Sequence, residues 1–370
     1  MPLKTERIAI FAASLRIGGV QKFVVNLSAE FARRGYPVDV VLARAQGPLL
    51  EQLHPEVRVI NLNSPRILIS LLPLVRYLRR ENPSALLTLQ THCNVIGVIA
   101  AKLAFRPLRL ILSEHNALAT RISSTLSKEA ILLRLIAFFY RKSQGIVAVS
   151  SDLAGELSGL LGQERGRIQV IYNPVVTEEL VTMAEEPLDH PWFVTGQPPV
   201  ISNVGRLVPQ KDQATLLRAF ARLRQHREAR LLIIGDGPER KHLEDLAVQL
   251  GISSDFSLPG FDTNPYRFMR RCQVFVLSSA WEGFGNVLVE AMACGTPVVA
   301  TDCHSGPAEI LGQGRYGLLV PVGDDAALAS AIEQMLVSPT PAEILRERAS
   351  LFNAVHCADQ YLELLLPNSV

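Results

Sequence analysis

The chain has 370 residues, 48% of them hydrophobic and 19% charged. That material makes one large or two ordinary folded domains, and it excludes a disordered tail or a fibre. The net charge of +2 hides an asymmetry: from Ser64 to Gly145 twelve Lys and Arg face three Glu, a local +9, which leaves the remainder acidic.

Short apolar runs alternate with helical patterns through the first 175 residues. The first run is Arg7–Ala13; IAIFAAS within and just beyond it could mimic a signal peptide, but it is only about half a typical hydrophobic core and Glu6 stands just before it, so a buried strand is the better reading. An amphipathic stretch, Val20–Arg34, comes next, and further strand candidates are Val38–Ala43, Val57–Leu62, Ala85–Leu89, Arg109–Ser113, Ile146–Val149 and Ile168–Ile171. These runs are continuous rather than alternating, so both faces are expected to be covered, as in a parallel sheet between helices.

From Pro174 to Pro199 the periodicity lapses among acids and prolines, which reads as a linker. The rhythm restarts with Val200–Val204, Leu231–Ile234, Asp255–Leu258, Val274–Leu277, Pro297–Ala300 and Gly317–Val320. Two doubly wound sheets in series are expected, with a cleft between them. After Asp324 only helical patterns remain, Ala326–Leu336 and about Ala342–Leu365. The longest apolar stretch, Ile67–Val75, contains Ser70 and Pro73 and falls well short of the roughly 18 to 20 residues that cross a bilayer. Five cysteines, Cys93, Cys272, Cys294, Cys303 and Cys357, form no Cys-x-x-Cys pair, which reads as a reducing cytoplasm and argues against structural zinc.

Three segments carry chemistry. Gly18 and Gly19 stand between the first strand and its helix, where side-chain-free residues let a ligand reach the amides and the positive end of the helix dipole; a tight strand-to-helix turn would look the same. A dinucleotide fingerprint is missing there, and GDGPER at Gly235–Arg240 has arginine where its third glycine belongs. In VGRLVPQKD, Arg206 and Lys211 share one loop after a parallel strand, two cations suited to a diphosphate unless they are solvated surface. The third segment, LSSAWEGFGNVLVEAMACGTPVVATD, places Glu282 in a loop before a glycine-flanked helix start at Phe284, Gly285 and Asn286. Amides of Asn286 and Val287 at that start would face phosphate, and Glu290 lies one turn beyond Asn286. Paired carboxylates are natural partners for sugar hydroxyls, the alternative being two solvent-exposed glutamates.

Together EGFGNVLVE, GRLVPQK, LLIIGDGPE, the early glycine pair and TPVVATD resemble the retaining family 4 glycosyltransferases of the GT-B fold, over nearly the whole chain. The resemblance implies an α/β protein of two Rossmann-like doubly wound parallel-sheet domains facing a central cleft. The corresponding division is an acceptor-side domain at 1–175, a linker at 176–199, a nucleotide-sugar domain at 200–345 and a C-terminal helix, 346–370, packing back on the first domain. It further implies that Arg206 and Lys211 hold the diphosphate, that Glu282 contacts the transferred sugar beside the Gly283, Phe284 and Gly285 backbone, and that Glu290 binds the ribose. Gly19, accompanied by Gly18, matches the loop near the diphosphate, His115 in LSEHN matches a histidine facing the sugar, and the backbone around Gly260 and Phe261 is assigned to the nucleobase. Asn173 before Pro174 and the segment SGPAEI depart from the family pattern.

The reaction expected is transfer, with retention, of a hexose or N-acetylhexosamine from a nucleotide sugar, UDP favoured, to a glycan or lipid-linked acceptor. No cofactor and no metal are expected, because fixed cations and amides can stabilise the leaving diphosphate and no Asp-x-Asp triplet stands as a metal ligand. A UDP-sugar 2-epimerase of the same shape and a non-catalytic nucleotide-sugar-binding protein are the alternatives. RILISLLPLVRYLRR and KEAILLRLIAFFYRK, apolar stripes with cationic flanks, mark an anionic membrane surface as a partner and a peripheral place at its inner face, against packing helices with basic ends. Nucleic acid is not expected, for the basic region lacks interleaved aromatic platforms.

Overall fold

The computed structural model describes residues 4–115, 127–162 and 165–367, with the side chains of 127–132 and 165 outside that description. The chain forms two compact units, one of residues 1–175 with 354–370 and one of residues 176–353.

Unit 1 contains strands β1 (Ile8–Ala12), β2 (Val38–Leu42), β3 (Arg58–Asn61), β4 (Ala85–Leu89), β5 (Arg109–Glu114), β6 (Gly145–Ala148) and β7 (Ile168–Val170). They form one sheet in the order β3-β2-β1-β4-β5-β6-β7, and every pairing is parallel. Its helices are α1 (Gly19–Arg33), α2 (Leu71–Glu81), α3 (Thr91–Ala104), α4 (Ser127–Tyr140) and α5 (Ser151–Leu161). The continuous apolar strands are the ones buried on both faces: β1, β2 and β4 have no exposed residue. The crossover from β1 to β2 runs one way across the sheet and those through α2, α3 and α4 run the other. Right-handed connections therefore set α1 on one face and the α2, α3, α4 layer on the opposite face, where α3 packs against both neighbours.

An ion cluster ties the sheet's edge. The buried Asp39 carboxylate accepts hydrogen bonds from Arg7 Nη1 (2.8 Å), Arg58 Nε (2.9 Å) and Nη2 (2.6 Å), and the Tyr77 hydroxyl (2.6 Å). Burial pushes its carboxyl up, but the hydrogen bonds from Arg58 and Tyr77 and the charges of Arg7 and Arg58 outweigh this and hold it below the ordinary 3.8.

Unit 2 contains α6 (Glu178–Glu185), β8 (Val200–Val204), α7 (Gln213–Arg224), β9 (Arg230–Ile234), α8 (Arg240–Gln249), β10 (Phe256–Gly260) and α9 (Tyr266–Met269). It continues with β11 (Val274–Leu277), α10 (Asn286–Ala293), β12 (Val298–Thr301), α11 (Pro307–Ile310), β13 (Leu318–Val320), α12 (Asp325–Val337) and α13 (Ala342–Ser350). Its sheet runs β10-β9-β8-β11-β12-β13, again parallel. The pair of doubly wound parallel sheets expected from the residue pattern is what forms.

Two boundaries differ from the expected division. The stretch 176–199 is folded into unit 2: Thr177 caps α6 by accepting from Leu180 N (3.1 Å), Leu180 and Ala184 are buried, and Asn264 Nδ2 donates to Met183 O (2.8 Å). An eight-residue helix is too short for its periodicity to stand out among acids and prolines. The helical pattern read as Ala342–Leu365 is two helices broken at Leu351–Asn353, where Val176 N donates to Phe352 O (3.0 Å). Residues 346–353 stay in unit 2, because Arg348 donates to the carbonyls of Ile310 (2.8 Å) and Glu309 (2.5 Å) at the end of α11. Only α14 (Ala354–Leu365) joins unit 1, where it packs on α1 and buries Cys357, Tyr361 and Leu365 in the core. Among the described residues no helix is long and apolar enough to cross a membrane.

Candidate active site

In unit 2 the strand order reverses at β8, which lies between β9 and β11. The loops leaving the carboxyl ends of β8 and β11 therefore stand side by side, at the position where open parallel sheets bind ligands. The β8 loop carries Arg206 and Lys211, and the β11 loop carries Glu282.

The two loops are laced together. Ser278 Oγ donates to Lys211 O (2.8 Å), Ala280 N donates to Gln210 O (2.8 Å), and Gln210 Nε2 donates to Trp281 O (2.9 Å). Within this frame Lys211 Nζ bonds Glu282 Oε1 at 2.5 Å, and Ser279 Oγ donates to the same oxygen at 2.7 Å. Glu282 is buried, so a paired cation and a hydroxyl are what make its charge tolerable there. Asp212, left-handed at φ 41, caps α7 through Thr215 and anchors the far side of Lys211. Arg206 is exposed, and among the described residues its guanidinium has no partner; only its carbonyl is engaged, by Gln213 Nε2 at 3.1 Å. An exposed guanidinium thus stands on the same loop as the Lys211–Glu282 pair, and the Lys211 side chain runs past the residue before Arg206, where a Cβ on Gly205 would lie 3.7 Å from Lys211 Cε.

The GDGPER segment explains how the Arg206 loop keeps its shape. A Cβ on Gly235 would lie 1.9 Å from Gly205 O, and one on Gly237 would lie 2.3 Å from Leu207 O. Only glycine admits that approach, which Leu207 N to Asp236 O (3.0 Å) and Glu239 N to Leu207 O (3.1 Å) then lock. The two glycines are braces for the arginine loop, a role with no local sequence signal because the partner backbone is some thirty residues away.

Glu290 is buried on α10, with the Tyr266 hydroxyl 3.5 Å from its Oε1. Burial above all, with Glu290 nearby, raises the Tyr266 phenol well above its ordinary value and keeps it a donor. Neither glutamate is a solvated surface acid, which disposes of that alternative. Gly285, left-handed at φ 101, starts α10, so the amides of Asn286 and Val287 lie at the helix start. The Phe284 ring is 97% covered and packs edge-on against Phe352 at 5.6 Å. Gly306 explains part of the departure at SGPAEI: a Cβ there would lie 1.8 Å from Phe284 O, so this loop abuts the helix start directly. Ser305 beside it was not singled out by the sequence; it sits at φ 66 with a buried hydroxyl that has no partner among the described residues. Gly260 ends β10 at φ 103, its carbonyl accepting from Gly235 N (2.8 Å), and Phe261 is exposed beyond it.

In unit 1, Gly18 and Gly19 follow β1, where that sheet also reverses its order, and Gly19 begins α1. Phe23 on α1 packs edge-on against His115 at 4.7 Å, so the glycine turn and the histidine after β5 are neighbours. His115 is buried, bonded through Nε2 to Ser113 Oγ (3.0 Å), with Nδ1 unpartnered among the described residues. Beside it Glu114 accepts from Thr91 Oγ1 (2.9 Å) and the Tyr140 hydroxyl (2.5 Å). Burial lowers the imidazole from 6.5 to about 3. The folded protein thus keeps His115 neutral where the unfolded chain binds a proton, and stability present above pH 6.5 is lost as pH falls toward 3. The expected slope is about 1.4 kcal/mol per pH unit, seen by urea unfolding at stepped pH and flattened in His115→Gln; an unchanged slope in that variant would refute it.

Among the described residues, no cluster of three or more His, Cys, Asp or Glu stands ready for a metal ion. Residues 17–179 match the family model described as Glycosyltransferase Family 4, and residues 187–352 match the one described as Glycosyl transferases group 1. The lipopolysaccharide core biosynthesis glycosyltransferase LpsE of Rhizobium meliloti is 31% identical over 94% of this chain and 96% of its own. A Campylobacter jejuni relative, N-acetylgalactosamine-N,N'-diacetylbacillosaminyl-diphospho-undecaprenol 4-alpha-N-acetylgalactosaminyltransferase, is 26% identical over 98% of this chain and 100% of its own. Among solved structures, sucrose-phosphate synthase of Thermosynechococcus elongatus superposes with a TM-score of 0.81 at 23% identity, covering 97% of this chain and 98% of that one. Anabaena HepE, in complex with UDP, gives 0.76 at 24% identity, covering 98% and 99%.

Proposed function

The chain belongs to the family 4 glycosyltransferases and has the fold of their GT-B members, and from that premise we propose that it moves a hexose or N-acetylhexosamine from a UDP-sugar, with retention and without a metal, onto a lipid-linked glycan. The observation that carries the reading is the pairing of Lys211 with the buried Glu282, formed between the β8 and β11 loops where the unit 2 sheet reverses, with Arg206 exposed on the same loop as Lys211 and its guanidinium unpartnered among the described residues. Breaking a sugar–diphosphate bond develops negative charge on the leaving group and positive charge on the anomeric carbon. A bidentate guanidinium, an ammonium and the α10 amides are donors fixed before that charge appears. Glu282, whose second oxygen has no partner among the described residues while the other is held by Lys211 and Ser279, suits a hydroxyl of the transferred sugar. Retention leaves the acceptor attacking from the leaving-group face, with a donor phosphate oxygen taking its proton.

The choice of UDP is supported by the UDP bound in HepE, and the lipid-linked acceptor by the undecaprenyl diphosphate in the name of the Campylobacter relative. A thermal-shift panel of nucleotides and nucleotide sugars tests the first. A UDP-sugar at a hundredfold excess over its Kd should stabilise the fold by about 2.7 kcal/mol, roughly 5 to 10 °C in Tm; a panel with no shift, or one led by GDP-sugars, would sink that assignment. Transfer measured in EDTA is expected to match transfer in Mg²⁺, and activity that collapses in chelator and returns with Mg²⁺ or Mn²⁺ would contradict metal independence. A UDP-sugar incubated alone should come back unisomerised, which separates this reaction from 2-epimerisation.

A further inference from the structure

We propose that the outward face of the α2, α3, α4 layer in unit 1 is a docking surface for an anionic lipid bilayer. Such docking deepens the reading of a lipid-carried acceptor, yet it is tested by a measurement that does not involve transfer.

The three helices share one face of the sheet, and among their described side chains those left in water are, His92 apart, large apolar groups and cations. On α2 and the turn before it, Leu68 is 71% exposed and Leu72 61%, and Arg76 and Arg80 continue the Leu72 stripe at helical spacing. On α4 the stripe is Arg134, Leu135, Phe138 and Lys142, with the Lys142 ammonium 5.3 Å above the Phe138 ring. Between them α3 ends in Lys102, Phe105 and Arg106, all exposed. Among the described side chains of these helices the one acid is Glu81, which pairs with Arg58 and offsets Arg80 alone of these cations, and Glu114 at the end of β5 is buried. A soluble surface seldom gathers apolar groups this way, and a ring of cations around them matches an anionic headgroup plane rather than an acidic groove.

Phe105 supplies an independent observation. It occupies the C-cap of α3 in the left-handed region at φ 52, a place that favours glycine or asparagine, and 82% of it faces water. Its conformation and its exposure both cost stability, and neither is offset by packing within the chain. A ring inserted among acyl chains, with Lys102 and Arg106 reaching the headgroups, would offset both.

Flotation with liposomes decides the matter. The chain is expected to float with vesicles rich in phosphatidylglycerol, to stay behind with phosphatidylcholine alone, and to be released by high salt. Arg76→Ala with Arg134→Ala should weaken partitioning about 30-fold, at about fivefold per cation. Phe105→Gly should weaken it while raising Tm by a few degrees, so the loss cannot be ascribed to misfolding. Equal flotation with both lipids, no flotation at all, or variants that float like the parent would overturn the docking surface. Should that happen while UDP-sugars still stabilise the fold, the docking surface alone falls and the proposed transfer stands.

Discussion

Replacing Arg206 with alanine is expected to lower kcat by about 10²- to 10³-fold, or roughly 3 to 4 kcal/mol of transition-state stabilisation, because one preorganised charge at the leaving diphosphate is removed. The same change should leave Tm almost untouched: the side chain is exposed and its guanidinium has no partner among the described residues, so the fold loses no contact. Arg206→Lys keeps the charge without the planar fork and should recover only part of the rate. Lys211→Ala differs in kind, for it strands the buried Glu282 carboxylate and should lower both rate and stability. Steady-state kinetics beside a melting curve separate the two cases. Near-normal turnover in a folded Arg206→Ala would remove the electrostatic basis of the proposed reaction.

Asp39→Ala is expected to destabilise unit 1 by about 3 kcal/mol, lowering its Tm by roughly 6 to 12 °C. The mechanism is the stranding of two guanidiniums and a phenol that now converge on one buried carboxylate. Their partial exposure lets water recover some of the loss, which is why the figure sits at the low end for a broken buried pair. Because Asp39 titrates below its ordinary 3.8 when folded, its contribution is complete above that pH and disappears as pH falls through the folded value. Unfolding free energy should therefore drop more steeply below about pH 4 in the parent than in Asp39→Asn. Equal acid sensitivity in the two proteins would show that the cluster contributes nothing to acid stability.

Periodicity and residue type alone determined a good deal here. Continuous apolar runs such as Ile8–Ala12 and Val274–Leu277 require burial on both faces, and that requirement specifies a parallel α/β sheet. The charged groups of the site were equally visible, since Arg206, Lys211, Glu282 and Glu290 sit in short segments whose local chemistry is written in consecutive letters. What the letters do not contain is which strand lies beside which. Strand order puts β11 next to β8, and only that adjacency lets Lys211 meet a glutamate 71 residues away. The same limit hid the fit of Gly235 and Gly237 against the Arg206 loop and the folding of 176–199 into unit 2. It also hid the division of the last helical pattern, where α13 stays in unit 2 while α14 buries Tyr361 in unit 1. Local patterns follow from the 2.0- and 3.6-residue periods of strand and helix; partners far apart in the chain are chosen by collective packing, which only the folded molecule records.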